Sequence, residues 1–195
     1  MLDKTQVAAF FDRLAPSWDE NCRHDGGKIA RILDTAGITA GVSVLDVACG
    51  TGVLFPFYLE RNVHRVTGVD ISAEMIAQAQ RKHTDERIAL ICADIEALAF
   101  ETPFDRCVVY SAFPHFGSPA LLIARLADAL SPGGRLTVAH SESIAEINRR
   151  HTGHAGAVSV GLMPTDELAA LMTPAFDVDA ALADEHIYIV SGIKR

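Results

Sequence analysis

The sequence predicts a doubly wound α/β domain built on a mostly parallel sheet. Short β-branched runs bounded by turn residues alternate with segments of helical periodicity along most of the chain, the pattern of repeated βα units. The run from Val44 to Val47 leads through Gly50-Thr51-Gly52 into an apolar, helix-compatible stretch, and strand, glycine turn and helix in that order form a nucleotide-binding start. Three acids, Asp46, Asp70 and Asp94, each end a β-rich run one βα period apart. A parallel sheet would bring them to one carboxyl edge, where open α/β sheets bind ligands.

At 195 residues the chain is one domain by size, long enough to bury a core without disulfides. A formal net charge of −8 and scattered basic residues, with Arg149-Arg150 the only local cluster, argue against nucleic acid. No apolar run approaches bilayer length, and the segment Met1 to Gln6 lacks the regions of a signal peptide. The expectation is a cytoplasmic protein with a small-molecule substrate, no nucleic-acid or membrane partner, and an oligomeric state the sequence leaves open. Cys22, Cys49, Cys92 and Cys107 show no Cys-x-x-Cys spacing and read as small apolar core residues.

Thr5 to Leu14 places Val7, Phe10, Phe11 and Leu14 at helical spacing, and Ala15-Pro16 ends that helix. Asp25 to Ala36 reads as a second helix stopped by Gly37. The first strand is Ser43 to Val47, followed by a helix over Val53–Arg61 that tolerates Pro56 in its first turn. The second strand, Arg65 to Val69, ends at Asp70, with Ser72 capping a helix over Ala73–His83. Strands follow at Ile88–Ala93 and Asp105–Ala112. Ser118-Pro119 starts a helix through Leu130, and Pro132-Gly133-Gly134 turns into a fifth strand, Arg135–His140. Ser143-x-x-Glu146 is a capping box for a short helix, Thr165 to Met172 a last one, and Phe176–Ala183 and His186–Ile193 the final strands.

The residues from Val44 to Gly52 admit either a dinucleotide or a sulfonium nucleoside. Phe55 stands where a dinucleotide fingerprint has its third glycine, and Asp46 would repel a pyrophosphate but could accept from an ammonium group. Val44–Gly52 resembles the first motif of class I S-adenosylmethionine-dependent methyltransferases. Val66–Ser72 and Cys92–Leu98 resemble the second and third, and Phe104–Tyr110 and Leu130–Leu136 resemble the family's fourth strand and the turn before its fifth. The set covers roughly residues 35–140.

This resemblance implies a Rossmann-like, seven-stranded, mostly parallel sheet with an antiparallel C-terminal hairpin. It also implies S-adenosylmethionine as cofactor, S-adenosylhomocysteine as product, and methyl transfer to a small acceptor. Asp46, Gly50 and Gly52 would hold the methionine part, Asp70 the ribose, Asp94 and Ile95 the adenine, with Tyr110 or Ser111 beside the sulfonium; Ala48 and Ile71 are further cofactor contacts, and Met75 reads either as an adenine contact or as core. Asp70 has a competing reading as a helix cap.

Phe10 to Asp19 resembles the N-terminal segment of small-molecule methyltransferases, quinone enzymes included, which folds over the cofactor. Phe11 and Trp18 are accordingly lid candidates, with Trp18 as a simple core anchor the rival. His115 follows the fourth strand and reads either as a base or as a packed ring. His140, Glu142, His151 and His154 gather around an insertion and read as bases, substrate contacts, metal ligands or plain loop residues; the set expected to act in catalysis is His115, His140 and His151, with His154 at the lid and no metal. The organisation expected is a single domain with N-terminal helices over residues 1–36, a cofactor-binding core over 37–140, an insertion over 141–163 and C-terminal elements over 164–195. A non-catalytic nucleoside-binding module is the alternative, and an NAD-dependent oxidoreductase is disfavoured by Phe55.

Overall fold

The computed structural model describes residues 2–22, 24–151 and 156–195. Helix α1 (Lys4–Leu14) starts on Asp3, whose carboxylate accepts from the Thr5 and Gln6 amides. A single 3₁₀ turn leads to the short α2 (Trp18–Asn21), and α3 (Gly26–Thr35) is capped by Asp25. The chain reverses into β1 at Gly37, whose φ of +64° suits a residue without Cβ.

The βα units then run β1 (Ser43–Val47), α4 (Phe55–Glu60), β2 (Arg65–Asp70), α5 (Ala73–Lys82), β3 (Ile88–Cys92), β4 (Phe104–Tyr110), α6 (Pro119–Ala129) and β5 (Leu130–His140). Helices α7 (Ile144–His151) and α8 (Thr165–Met172) precede the hairpin β6 (Phe176–Ala183) and β7 (Tyr188–Lys194).

The seven strands lie in the order β3-β2-β1-β4-β5-β7-β6. The first five are parallel, and β7 inserts antiparallel between β5 and β6. Winding changes direction between β1 and β4, so the crevice of this α/β sheet opens there. Every residue of β1 is buried, because alternate residues serve two cores. Leu45 and Val47 pack in the one closed by α6 and α8, and Val44 in the one closed by α3, α4 and α5.

Several expectations are corrected. The helix after the glycine loop begins at Phe55 rather than Val53, because residues 51–54 continue the turn. Ser118 makes no side-chain cap bond; Pro119 alone starts α6. Half of the capping box forms: Ser143 Oγ accepts from the Glu146 amide, while the Glu146 carboxylate pairs with Arg149. Strand β5 starts at Leu130 and bulges over Ser131–Gly134 before regaining register at Arg135. Leu14, expected on the apolar face of α1, is exposed. Cys49 and Cys107 are buried as expected, but Cys22 is half-buried and Cys92 exposed. Cys92 escapes burial because β3 is the sheet edge.

Candidate cofactor and active site

The carboxyl ends of β1, β2, β4 and the turn after β3 surround one cavity of about 260 Å³. Its wall includes Asp46, Ala48, Gly50, Asp70, Ile71, Met75, Asp94, Ile95, Tyr110, Ser111 and His115. Phe11 and Trp18 cover it from the N-terminal segment. Ala48 and Ser111, directly after β1 and β4, both adopt left-handed φ, 53° and 54°. Two non-glycine residues held this way beside one crevice mark strain stored at a ligand site.

The glycine loop divides its tasks. Gly50, at φ +55°, has nothing within 4 Å of where a Cβ would stand, so its open face can receive a ligand. Gly52 is different: a Cβ there would meet the Phe55 ring at 2.5 Å and His83 at 2.8 Å, and the residue does not line the cavity. Gly52, expected at the ligand, thus packs against Phe55 and stands outside the cavity wall of the unliganded chain. Phe55 also fills the space over Gly68, whose Cβ would lie 2.7 Å from its ring, which is why no third loop glycine is needed.

Asp70 braces this loop. Its Oδ2 accepts from the Gly50 amide and its Oδ1 from the Ser72 amide, both at 2.8 Å. Ser72 Oγ, not Asp70, caps α5 through the Met75 amide at 3.1 Å. Asp46 is 2 % exposed, and burial, then the negative charge of Asp70, pushes its carboxyl well above the usual carboxylate range. A cation placed against it would reverse that penalty, so the floor of the cavity selects for an ammonium group.

Asp46→Asn is accordingly expected to stabilise the unliganded protein above pH 4. The folded carboxyl titrates higher than the unfolded one, so folding binds a proton and stability is lost as pH rises from 3.8 towards the raised value. The neutral amide removes that loss, and urea unfolding at pH 7 without ligand should show the gain. Unchanged or lower stability would contradict an uncompensated Asp46.

At the other end, Lys4 of α1 bonds Asp94 Oδ2 at 2.6 Å and pairs with Glu96. Glu96 is buried, and its Oε1 has no partner among the described residues. An exocyclic amino group is the donor such an orphan acceptor lacks. With apolar Ile71, Met75 and Ile95 in the same wall, this end suits a flat purine. An open cradle at Gly50, a buried acid without an ion pair at Asp46 and an orphan acceptor at Glu96, among the described residues, thus fit a nucleoside carrying an amino-acid tail.

The histidines divide. His115 lines the cavity, its Nδ1 donating to the Val158 carbonyl at 2.8 Å, its ring 4.8 Å from Phe11 and 5.1 Å from His151. Burial pushes its pKa down to about 4. His140 and His151, expected at the same mouth, are absent from the cavity wall. His140 is wholly buried against Tyr188, held by burial to about 3, because the β5 backbone directs it into the β5–β7 side of the sheet. His151 lines a separate groove with Asn148 and Leu162, its Nδ1 donating to the Ile147 carbonyl. Glu142 pairs with Arg150. His154 lies outside the described residues. Among the described residues no group of three or more His, Cys, Asp or Glu side chains is arranged to hold a metal ion.

The sequence did not single out Lys4, His24, Thr51 or Glu96. All four line the cavity. Glu96 was visible two residues after Asp94, but His24 sits outside any periodic segment and only the fold brings it to Tyr110. The covering segment is tied down by polar contacts. Asp12 accepts from Ser72 Oγ at 2.6 Å, and Asp19 accepts from Thr51 Oγ1 and Lys82 Nζ, each at 2.6 Å.

Residues 44–134 match the family model described as a methyltransferase domain. The malonyl-[acyl-carrier protein] O-methyltransferase of Priestia megaterium is 34% identical over 140 residues, covering 70% of this chain and 51% of that protein. The demethylmenaquinone methyltransferase of Renibacterium salmoninarum is 33% identical over 146 residues, covering 71% and 60%. The chain thus spans about half to three-fifths of the length of these curated relatives.

Among solved structures, a putative methyltransferase in complex with the Trm112 activator of Haloferax volcanii superposes with a TM-score of 0.81 at 17% identity, over 96% of this chain and 97% of that one. The N-methyltransferase NodS of Bradyrhizobium japonicum, solved with S-adenosylhomocysteine, gives 0.74 at 19% identity over 96% and 98%. The family model, the sequence relatives and the seven-stranded fold agree: residues 44–134 form a methyltransferase domain.

Proposed function

We propose that the protein transfers the methyl group of S-adenosylmethionine to a small-molecule acceptor in the cavity beneath Phe11 and Trp18. The observation that carries this is the buried Asp46, which forms no ion pair among the described residues, beside the open face of Gly50, a cation site next to a backbone cradle. Asp46, Ala48 and Gly50 take the methionine part. Asp70, with lone pairs left beyond its two amide bonds, and Ile71 take the ribose. Met75, Asp94, Ile95 and the orphan Glu96 take the adenine.

The cofactor supplies an activated methyl on a sulfur that is its own leaving group, so no acid is required to expel the product. The chain's work is alignment and exclusion of water. Tyr110 and Ser111 stand at the sulfonium, while Phe11, Trp18 and His115 wall the acceptor side. A cavity of about 260 Å³ is below the ~300–1,000 Å³ usual for ligand sites. Among the described residues no helix is long and apolar enough to cross a membrane, and all four cysteines are free thiols, which supports a reducing, cytoplasmic setting.

Isothermal titration with S-adenosylmethionine, S-adenosylhomocysteine and NAD tests the reading. The first two are expected to bind and NAD to give no heat. Binding of NAD alone, or of none, would overturn it. The cavity space under Trp18 and His115 supports catalysis over a non-catalytic nucleoside module.

A further inference from the structure

We propose that His24 is the general base of this transfer, positioned by Tyr110 and Ser141, and that the acceptor is a group carrying a proton, a hydroxyl or an ammonium. This rests on the methyl-transfer reading above. His24 lines the cavity, half-buried, in the segment between α2 and α3. Its Nδ1 lies 3.1 Å from the Tyr110 hydroxyl, which donates to Ser141 Oγ at 2.7 Å. The phenol has one proton and gives it to Ser141, so Nδ1 is the ring N–H and donates to Tyr110. Nε2 then keeps its lone pair. Lys28 Nζ bonds the Ser141 carbonyl at 3.0 Å and fixes the far end of the chain of contacts.

The location selects the acceptor end. Asp94 follows β3 and Asp70 ends β2, whereas Tyr110 ends β4 and Ser141 follows β5, across the sheet from the nucleoside. The other cavity groups are committed elsewhere. Asp46 and Asp70 sit at the glycine loop, Glu96 pairs with Lys4, and His115 is wedged between the rings of Phe11 and His151. Burial lowers the pKa of His24; Asp19 and Glu142 act to raise it, and Lys82 acts to lower it. His24 is neutral at pH 7, so the ring nitrogen that carries no proton can accept one.

In the step, a hydroxyl acceptor attacks the methyl carbon with an oxygen lone pair as its proton leaves, while an ammonium acceptor first gives up a proton and attacks with the lone pair so freed. The carbon–sulfur bond breaks with its electrons passing to sulfur. The acceptor's proton passes to His24 Nε2 and leaves to solvent when the covering segment opens.

The test compares His24→Gln, which can still donate to Tyr110 but cannot take a proton at neutral pH, with Tyr110→Phe and the unaltered protein. Probes are 4-methylcatechol and benzylamine, which carry protons, and iodide, which carries none. S-adenosylhomocysteine affinity is measured alongside. His24→Gln is expected to lower kcat on a proton-bearing probe by about 10²–10⁴-fold and erase the acidic limb of its pH profile. The loss on iodide should be at least about ten-fold smaller, and Tyr110→Phe should lower kcat more than it alters KM.

An unchanged pH profile in His24→Gln, equal losses on catechol and iodide, or methylation of iodide alone would each overturn the proposal while leaving methyl transfer standing. Cofactor binding without any transfer, or no binding, would overturn methyl transfer and this proposal together.

Discussion

Asp70→Ala should weaken S-adenosylhomocysteine binding by at least about 100-fold. The carboxylate performs two jobs at once: its two oxygens hold the Gly50 and Ser72 amides at 2.8 Å, and their remaining lone pairs face the cavity. Hydrogen bonds to a charged group contribute about 1.5–3 kcal/mol each, so losing two ribose contacts alone corresponds to roughly 10²–10⁴ in affinity. The substitution also frees Gly50, which then has to be ordered by the ligand at its own cost.

The fold should survive. The buried carboxyl is held above its usual range, first by burial, so removing it relieves one cost while leaving two amides unpaired. Calorimetric titration with urea unfolding as control decides the matter. A loss under about three-fold, with the fold intact, would remove Asp70 from the ligand site. Asp70→Asn keeps one acceptor and should fall between the two.

Acid is expected to destabilise the protein through His140 and His115. Burial depresses their folded pKa values to about 3 and about 4, against 6.5 when unfolded. The unfolded chain therefore binds more protons between those limits, and stability, complete above pH 6.5, is lost as pH falls. Each group contributes at most about 1.4 kcal/mol per pH unit. Asp46 and Asp70, whose folded values are raised, act in the opposite sense below their own values and blunt the fall.

His140→Phe isolates the effect. Phenylalanine keeps the edge contact with Tyr188, now 5.9 Å between ring centres, and removes the Nε2 that has no partner among the described residues. Urea unfolding from pH 7 to 4 should show a slope smaller by about one proton in the variant. An identical slope would mean that His140 is paired or hydrated and titrates normally.

Much of this site was legible because its positions are fixed by chain-local rules. Asp46, Asp70 and Asp94 end strands of parallel βα units, and that periodicity alone brings them to one edge. Ala48, Gly50, Ile71, Met75, Ile95, Tyr110 and Ser111 follow because they adjoin those strand ends. The histidines were harder. Sequence proximity grouped His140, His151 and His154 around one mouth, yet backbone direction at the end of β5 turns His140 into the core and α7 carries His151 to another groove.

Cys92 misled in the same way, since β-branched neighbours announce a strand but not whether it lies inside the sheet or at its rim.

The sequence by itself determined the order of strands and helices, the glycine turn, the row of acids and, from these, the doubly wound α/β fold, while the methyltransferases entered through the resemblance of its motifs. Those features depend on periodicity and backbone preference within a few residues, and long-range packing does not override them. Tertiary structure alone decided which glycine faces a ligand and which faces Phe55, that Lys4 reaches Asp94 and Glu96, and that His24 meets Tyr110. Such contacts join residues up to 92 positions apart, and their existence depends on how α1 and the segment before α3 settle over the finished sheet.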